Sequence, residues 1–242
     1  GLLNYDGDAA YRRDTCFKVG ARGHYDPRAC LTASGKRPVI LVVGDSHAAD
    51  LWPGLAPYRD RFDILQATAT GCTARLYPVD TTNGCERIVN LALRDYIRRS
   101  PPAALILSSR WIARWSGGLE ATLRDPVVRA AHPVLIGPNP EYSTGLPRLL
   151  VDASRRGDPA LVQRALMPDP FVQDRALRRI AARTGTPYIS LVDLLCRKQV
   201  CTTFAGPATP LLWDDHHFSG AGSRVVVEAM MPRIVAAMAT PR

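Results

Sequence analysis

The sequence has no run of about 18 apolar residues, so it offers no segment that could cross a membrane as a helix. Its first residues, Gly-Leu-Leu-Asn-Tyr-Asp, lack the charged and apolar regions of a signal peptide. We therefore expect a cytosolic protein, a processed product or a piece of a larger protein. The chain also lacks repeats and low-complexity tracts, and its 46% hydrophobic content is typical of a folded globular protein.

The motifs of zinc-binding and nucleic-acid-binding proteins are absent as well. No Cys-x-x-Cys pair occurs, and the histidines are not spaced to complete a zinc site. The net charge is +9, but the Arg-Arg pairs are spread along the chain and no familiar nucleic-acid-binding motif accompanies them. We expect no metal, no organic cofactor and no nucleic-acid partner. An acidic glycan or an anionic membrane is the alternative to a merely solvated basic surface.

Six cysteines are present, and they fall into three couples that are close in sequence. Nearest-neighbour pairing, one of many connectivities, gives Cys16–Cys30, Cys72–Cys85 and Cys196–Cys201. Reduced, buried cysteines are the other interpretation. Three disulfides would imply an oxidising compartment, such as a periplasm or the cell exterior, and would favour a processed product or a piece of a larger protein.

Apolar runs alternate with amphipathic stretches along most of the chain. The runs predicted to be strands are residues 38–43, 62–67, 103–108, 133–136 and 187–191. The stretches predicted to be helices are residues 48–57, 87–99, 118–131, 171–184 and 219–238. This alternation predicts an α/β protein, a flavodoxin-like three-layer α/β/α sandwich around about five parallel strands.

Two segments depart from this alternation. Residues 1–37 are polar and Gly-rich, and we expect them to form an N-terminal extension packed on the first strand of a main domain over residues 38–242. Residues 139–169 contain several Pro, Gly and Arg. We expect them to form an insertion or lid rather than core, because long loops are commonly functional or mobile.

The segment Asp45-Ser46-His47 directly follows the apolar run Val39–Gly44. If that run is a buried strand, Ser46 lies at the carboxyl edge of the sheet, where ligands and catalytic groups gather in open α/β folds. The Ser46 N–H would also lie at the start of a helix, where the dipole favours a developing negative charge. Ser46 is thus a candidate nucleophile and oxyanion donor. A plain helix N-cap is the alternative.

A second polar segment, residues 213–220, lies near the C-terminus and places an Asp three residues before a His. His217 is the candidate general base, since a neutral imidazole can take the serine proton and return it to a leaving group. Asp214 is the candidate group that orients this imidazole. The pair Asp215 and His216 is an alternative that spacing leaves open, and a surface loop with incidental histidines is another.

Residues 43–48 (Val-Gly-Asp-Ser-His-Ala) and 214–219 (Asp-Asp-His-His-Phe-Ser) resemble the first and last blocks of the SGNH/GDSL hydrolase superfamily. Within it, the chain looks most like the extracytoplasmic SGNH domain fused to acyltransferase-3 membrane proteins, which O-acetylate surface glycans. Further similarities are the Asp-Ser-His ending of the first block, Cys72 after Thr70-Gly71, Ser109-Arg110-Trp111 after the third strand, and the Cys196–Cys201 pair. The resemblance spans most of residues 30–240.

The resemblance implies a triad of Ser46, His217 and Asp214, with the Gly71 N–H as second oxyanion donor, in an SGNH-like catalytic domain. It also implies O-acetyl transfer to hydroxyls of a bacterial surface polysaccharide, such as lipopolysaccharide O-antigen, through an acyl-enzyme on Ser46. The partners would be an acyl donor and a carbohydrate acceptor. The implied location is periplasmic or extracytoplasmic, tethered to the inner membrane through a fused membrane acyltransferase domain.

One part of the family pattern is missing. The third block normally supplies an Asn side chain to the oxyanion hole, and residues 108–111 read Ser-Ser-Arg-Trp here. Asn139 follows the fourth predicted strand and is a poor substitute. Losing one oxyanion donor can lower the rate by about 10²–10³. The site would therefore be slow, use Arg110 or a water instead, or depend on its partner domain.

Tryptophan and arginine residues surround the suspected site in the sequence. Arg110, Trp111 and Trp115 are the candidate substrate-binding residues, because flat aromatic faces suit sugar rings and Arg suits a carboxylated sugar. Trp52 and Trp213 are also near the two blocks. Core packing is the alternative for each tryptophan.

The first hypothesis is a serine-dependent O-acetyltransferase. A carbohydrate acetylesterase would use the same acyl-enzyme and would differ in whether the pocket excludes water. A non-catalytic glycan-binding module with a vestigial site is a hypothesis from another class. The missing Asn favours that module, and the intact Ser, Asp and His oppose it.

Overall fold

Parallel strands form one sheet in the centre of the protein. The computed structural model describes residues 5–112 and 117–239. Within them the strands of this sheet are β1 (Phe17–Lys18), β2 (Val39–Gly44), β3 (Asp63–Ala69), β4 (Ala104–Ser108), β5 (Pro133–Ile136) and β6 (Tyr188–Ile189). Their order is β1-β3-β2-β4-β5-β6, and every neighbouring pair is parallel. The predicted α/β fold is confirmed, and its five expected strands form the doubly wound part of the sheet.

Helices cover both faces of the sheet. In the described residues the α-helices are α1 (Gly7–Ala10), α2 (Pro27–Cys30), α3 (Ser46–Ala49), α4 (Trp52–Leu55), α5 (Gly84–Asn90), α6 (Ile97–Arg99), α7 (Leu119–Arg124), α8 (Pro126–Ala130), α9 (Leu146–Arg156), α10 (Ala160–Arg164), α11 (Asp169–Thr184), α12 (Leu191–Leu195) and α13 (Gly220–Met238). A 3₁₀ turn (Ala56–Asp60) follows α4, and a π-helical stretch (Leu91–Tyr96) joins α5 to α6. None of these helices is long and apolar enough to span a membrane.

Two small antiparallel hairpins lie between α12 and α13. They pair β7 (Cys196–Arg197) with β8 (Val200–Cys201), and β9 (Phe204–Gly206) with β10 (Thr209–Pro210). Neither hairpin joins the central sheet. They lead the chain from the last strand of the sheet to the segment before α13.

Alternate residues of β2 face the two helical layers. Ile40 and Val42 pack in the core that contains the buried face of α13. Leu41 and Val43 pack in the other core, beneath α5 and the π-helical stretch. Because both faces of β2 are buried, the strand reads as a continuous apolar run. This burial fixes the carboxyl end of β2, where the candidate site begins.

The predicted strands are present, with boundaries within two residues of those predicted, but the helix expected over residues 48–57 is divided into α3, α4 and a 3₁₀ turn, with a break at residues 50–51. The helix expected over residues 118–131 is divided at Asp125. The Asp125 side chain accepts hydrogen bonds from the N–H groups of Val127 and Val128, and Pro126 begins the next helix. An Asp-Pro pair both caps a new helix and interrupts the preceding one, which explains the division.

The N-terminal segment contributes a strand to the sheet as well as packing against it. Strand β1 pairs with β3 at Thr68 and Ala69, not with β2, the first of the predicted strands. Tyr11 and Phe17 are buried there beside Ala49. Residues 5–37 are therefore integral to the sheet edge, and a domain boundary at residue 38 stays a prediction.

The expectation that residues 139–169 form a lid is wrong. This segment contains α9 and α10, and its apolar side chains Tyr142, Leu146, Leu149, Ala153 and Val162 belong to the core on the α13 side. Pro147 lies in the first turn of α9, and Gly157 ends the helix in a left-handed conformation. Pro and Gly at these positions start and stop helices. In this segment they therefore mark helix ends and are not evidence of a long loop.

The structure contains three disulfide bonds. They join Cys16 to Cys30, Cys72 to Cys85, and Cys196 to Cys201, which are the couples that nearest-neighbour pairing gave. The first bond lies in the N-terminal segment, and the second joins the turn after β3 to α5. The third crosslinks the β7–β8 hairpin. Each bond closes a short loop and restricts the unfolded chain near the sheet edge or the hairpin.

Gly44, at the end of β2, lies opposite Ser108 of β4 and leaves no room for a side chain. It has φ +151°, and a Cβ there would lie 1.7 Å from the Ser108 carbonyl oxygen. We expect Gly44→Ala to destabilise the protein by about 3 kcal/mol or more, since backbone strain and a backbone clash add. Gly35→Ala is the matched control, because Gly35 has φ +73° and no atom within 4 Å of its Cβ position.

Denaturant unfolding of both variants measures this difference. The control should lose only about 1–2 kcal/mol, the cost of a left-handed non-glycine residue. Equal losses in the two variants would show that the contact between Gly44 and Ser108 is unimportant.

Candidate active site

Ser46 lies at the carboxyl edge of the sheet, in the first position of α3. The Asp45 side chain caps this helix by accepting a hydrogen bond from the His47 N–H at 2.9 Å. The cap position belongs to Asp45, so the interpretation of Ser46 as a plain N-cap is wrong. An N–H in the first turn has no partner within its helix, which leaves the Ser46 N–H available to a developing negative charge.

His217 connects Ser46 to Asp214. Its Nε2 lies 2.8 Å from Ser46 Oγ, and its Nδ1 lies 2.7 Å from Asp214 Oδ2. Asp214 Oδ1 accepts hydrogen bonds from the N–H groups of His216 and His217 at 2.9 and 2.7 Å. The side chains of Ser46, His217 and Asp214 thus form one continuous hydrogen-bonded chain, and the same turn holds the carboxylate and the imidazole.

The side chains of the alternative pair, Asp215 and His216, make no hydrogen bond to Ser46 Oγ in the described part of the chain. The His216 ring stacks on the buried ring of His47, with ring centroids 5.3 Å apart. Its Nδ1 lies 3.1 Å from Asp215 Oδ1, and the Asp215 side chain is 43% exposed. Within the described residues, the histidine that contacts Ser46 Oγ is His217.

Burial and neighbouring carboxylates have opposite effects on His217. Burial lowers the pKa of the imidazole, but the hydrogen bond and charge of Asp214 act against this, and the pKa is held above 6.5. Burial raises the pKa of Asp214, but the hydrogen bond and charge of His217 overcome this and lower it to about 2. Asp214 is therefore ionised at neutral pH, and His217 is a stronger base than an isolated imidazole.

Two further carboxyl groups, Asp45 and Asp50, are buried beside these residues. Burial raises the pKa of Asp45 to about 6 and raises the pKa of Asp50 well above its ordinary range. The two Asp45 oxygens accept from the Arg110 N–H at 3.1 and 2.9 Å, which joins the end of β4 to the turn that carries Ser46. Asp50 Oδ2 accepts from Asn139 Nδ2 at 2.9 Å and from the Phe218 N–H at 3.1 Å.

Residues 213–218 have little regular structure, yet the carbonyl oxygens of residues 214–218 all accept hydrogen bonds. In order, their donors are the N–H of Leu146, the N–H of Tyr142, Asn139 Nδ2, the N–H of Trp213 and the O–H of Tyr11. Three of the five donors come from residues 139–146. Buried carbonyl groups need such partners. Residues 139–146 therefore hold residues 214–216 of the site in place through hydrogen bonds.

Among the candidate substrate-binding residues, Arg110 lies beside the site and Trp111 does not. The Arg110 guanidinium forms a two-point ion pair with Glu141, at 3.1 and 2.8 Å, and stays 36% exposed. Trp111 is 2% exposed, and its Nε1 donates to the Ile136 carbonyl at 2.8 Å. The expectation that Trp111 binds substrate is therefore wrong, because its indole belongs to the core. Trp115 lies outside the described residues.

The other two tryptophans have partners within the protein. Trp213 stacks on His217, with centroids 6.1 Å apart, and its Nε1 donates to the Tyr11 hydroxyl at 2.7 Å. The Arg12 guanidinium lies 4.3 Å from the centre of the Trp52 ring. Trp213 thus holds the base in place, and one face of Trp52 is occupied by a cation.

The predicted oxyanion donor Gly71 lies in the turn after β3, with φ +73°. Its N–H makes no hydrogen bond within the described part of the chain. This N–H can therefore donate a hydrogen bond to a ligand, as an oxyanion donor must. Ser109 occupies the place of the missing Asn after β4. Its hydroxyl donates to the Ser108 carbonyl at 2.7 Å and accepts from the Ala74 N–H at 2.8 Å. Ser109 therefore fastens two turns together and offers no free side-chain donor.

Among the residues that the structure describes, two groups of side chains meet the distance condition for a metal ion. Ring nitrogens of His47, His216 and His217 lie within 4.8 Å of one another, and so do the ligand atoms of Asp214, Asp215 and His216. His217 already uses both ring nitrogens, and Asp214 is held by His217. An ion in either group would have to disrupt that chain, so neither group is a preformed open site.

A parallel sheet with hydrogen-bonded Ser, His and Asp side chains at its carboxyl edge is the arrangement found in serine hydrolases and acyltransferases of the α/β class. Residues 13–232 match the family described as "SGNH domain (fused to AT3 domains)", and the chain belongs to this family. The family match begins at residue 13, within the expected N-terminal extension. This agrees with strand β1, which the same segment adds to the sheet. No curated protein sequence matches the chain significantly.

Solved structures share the fold. The periplasmic domain of a lipopolysaccharide acetyltransferase from Salmonella ser. Paratyphi A is 21% identical, with a TM-score of 0.77 and 94% of each chain covered. A putative acylhydrolase from Bacteroides fragilis is 12% identical, with a TM-score of 0.51 and coverage of 86% of this chain and 91% of that one. A GDSL-like lipase from Bacteroides thetaiotaomicron is 10% identical, with a TM-score of 0.51 and coverage of 86% and 92%.

Sequence patterns gave no signal for Tyr11 as part of this site. Its hydroxyl donates to the Phe218 carbonyl at 2.7 Å, from 207 residues away, and accepts from Trp213 Nε1. We expect Tyr11→Phe to lower the free energy of unfolding by about 1–3 kcal/mol, because the buried Phe218 carbonyl and the part-buried Trp213 Nε1 lose their partner. Tyr142→Phe is the matched control, since the buried Tyr142 hydroxyl has no hydrogen-bond partner among the described residues.

Denaturant unfolding of both variants tests this expectation. The control should change stability by less than about 0.5 kcal/mol, because no hydrogen bond is lost. A Tyr11→Phe variant as stable as its control would show that the hydroxyl contributes nothing to the loop.

Proposed function

We propose that the protein transfers an acyl group, most simply acetyl, to hydroxyls of a bacterial cell-surface polysaccharide through an acyl-enzyme on Ser46. The observation that carries this proposal is the hydrogen-bonded chain from Ser46 Oγ through His217 to Asp214. Family membership supports acyl transfer or ester cleavage. The similarity to a lipopolysaccharide acetyltransferase domain supports a surface glycan as the acceptor.

In the proposed first half-reaction, Ser46 Oγ attacks the acyl carbonyl carbon while His217 Nε2 takes the hydroxyl proton. The N–H groups of Ser46 and Gly71 would hold the resulting oxyanion. Collapse of the tetrahedral intermediate expels the donor's leaving group, which receives the proton from His217. Asp214 stays ionised throughout and stabilises the imidazolium.

The second half-reaction reverses these roles. A glycan hydroxyl gives its proton to His217 Nε2 and attacks the acyl-enzyme carbonyl. The second tetrahedral intermediate collapses to the glycan ester, and Ser46 Oγ recovers its proton from His217. Both halves rely on backbone oxyanion donors, since the Ser109 hydroxyl is used within the fold and the Arg110 guanidinium is paired with Glu141.

We propose that the chain is the extracytoplasmic part of a protein of the inner membrane. Three disulfides support an oxidising compartment. The family is described as fused to AT3 domains, and the similar Salmonella domain is periplasmic. A fused acyltransferase-3 domain would then act as the tether and would bring the acyl donor to Ser46.

Carbohydrate ester hydrolysis is the second candidate function. The similar folds of a putative acylhydrolase and a GDSL-like lipase favour it. Water would replace the glycan hydroxyl in the second half-reaction, and no other step would change. Mass spectrometry of an oligosaccharide acceptor after incubation with an acetyl ester separates the two functions: transfer adds acetyl groups to the sugar, whereas hydrolysis yields acetate alone.

Ser46→Ala should lower the rate of p-nitrophenyl acetate cleavage by about 10³-fold or more, because removal of the nucleophile leaves only binding and oxyanion contributions. Release of p-nitrophenol measures the rate. Ser154→Ala, on the exposed face of α9, is the matched control and should keep the wild-type rate. Similar rates in wild type and Ser46→Ala would refute the serine mechanism.

The pH dependence should follow the ionisation of His217. The base acts in its neutral form, and its pKa is raised, so kcat/KM should rise with pH through a value above 6.5. Asp214→Asn removes the hydrogen bond and charge that raise this pKa, and should move the midpoint down while lowering the rate. A wild-type midpoint well below 6.5 would contradict the assignment of His217 as base.

A further inference from the structure

We propose that Asp50 and Asn139 act together as positioning residues, fixing the peptide units on both sides of His217 so that its Nε2 stays in line with Ser46 Oγ. This inference rests on the proposed function. It concerns two residues from separate parts of the chain, the residue that directly follows α3 and the loop after β5. Neither touches Ser46 Oγ in the structure, so both would act through the histidine.

The contacts are specific to the neighbours of His217. Asn139 Nδ2 donates to the carbonyl of His216 at 3.0 Å and to Asp50 Oδ2 at 2.9 Å. The same Asp50 oxygen accepts from the N–H of Phe218 at 3.1 Å. The residues before and after His217 are thus held by one hydrogen-bonded pair. A rotation of either flanking peptide unit would break one of these three bonds.

Burial makes this pair rigid. Asp50 is 0% exposed and Asn139 is 1% exposed. In a water-excluded site a broken hydrogen bond is not replaced by solvent, so the desolvated groups hold one arrangement. Asp214, by contrast, lies in the same turn as His217 and moves with it. Hydrogen bonds from outside residues 213–218 therefore fix the position of this turn, and the imidazole with it.

The pair works through hydrogen-bond geometry more than through the charge of Asp50. Burial raises the pKa of Asp50 well above its ordinary range, which favours the neutral acid. An asparagine at position 50 has nearly the shape of that acid and keeps an oxygen for the two donors. A leucine at position 50 or 139 keeps the branched skeleton of four side-chain heavy atoms but offers no hydrogen bond. These substitutions separate the loss of contacts from the loss of charge.

The experiment compares Asp50→Leu, Asn139→Leu and Asp50→Asn in the full chain with p-nitrophenyl acetate. We expect the two leucine variants to lower kcat about 10–100-fold, the range for a displaced catalytic group, with KM within about twofold. Asp50→Asn should keep kcat within about threefold of wild type. Labelling of Ser46 by a fluorophosphonate, which needs an aligned histidine but no acceptor, should slow by the same factors as kcat.

Asp174→Leu is the matched control for stability. Asp174 is also buried, at 4% exposure, and accepts from the Tyr188 hydroxyl and Ser190 Oγ at 2.6 Å, on the far edge of the sheet. We expect it to lower the melting temperature as much as the leucine variants do, with little change in kcat. If a leucine variant does not fold, Asn139→Ser, which is too short to reach both acceptors, takes its place.

The outcomes separate this inference from the proposed function. Wild-type kcat in folded Asn139→Leu or Asn139→Ser, a rise in KM alone, or an equal loss of kcat in Asp174→Leu would overturn the positioning role while leaving the serine mechanism intact. Turnover and labelling that persist in Ser46→Ala would instead overturn the proposed function. A selective loss of kcat and labelling in the leucine variants, with recovery in Asp50→Asn, supports the inference.

Discussion

The site depends on the close approach of two helices, α4 and α13. The Gly54 N–H donates to Ser223 Oγ at 2.9 Å, and a Cβ at Gly54 would lie 2.3 Å from the Ser223 carbonyl oxygen. Ser46 begins α3, the short helix that precedes α4, and residues 213–218 lie just before α13. The contact therefore brings together two side chains, Ser46 and His217, that are 171 residues apart in sequence. A larger residue at position 54 would separate the helices and the site with them.

Burial of polar groups is the second constraint, and it explains much of the architecture around the site. Residues 213–218 have little regular structure, so most of their carbonyl groups need donors from elsewhere. The donors come from the N-terminal segment and from residues 139–146. The 2.8 Å contact between Ser46 and His217 is thus held by donors from the N-terminal segment and from the middle of the chain. The site is built into the fold rather than placed on its surface.

The departure from the family's third block has a structural counterpart. At the end of β4, the Ser109 hydroxyl binds the Ser108 carbonyl and the Ala74 N–H, so it joins the turn after β4 to the turn that follows Gly71. The next residue, Arg110, uses its backbone N–H to hold Asp45 and its guanidinium to hold Glu141. This stretch supports the loops that carry the proposed oxyanion donors. Backbone N–H groups that are fixed in this way need little reorganisation during a reaction.

Features that depend on residue type and short spacing could be predicted from the sequence. The apolar run before Gly44 predicts β2, and Asp214 with His217 in one turn predicts their contact. The roles of residues 139–146, Tyr11 and Trp111 became visible only in the folded chain. Hydrogen bonds to backbone carbonyls can be donated by almost any residue's N–H, so the support of residues 213–218 leaves no pattern in the sequence. Likewise, a tryptophan suits a sugar or a core equally well, and only its neighbours place Trp111 in the core.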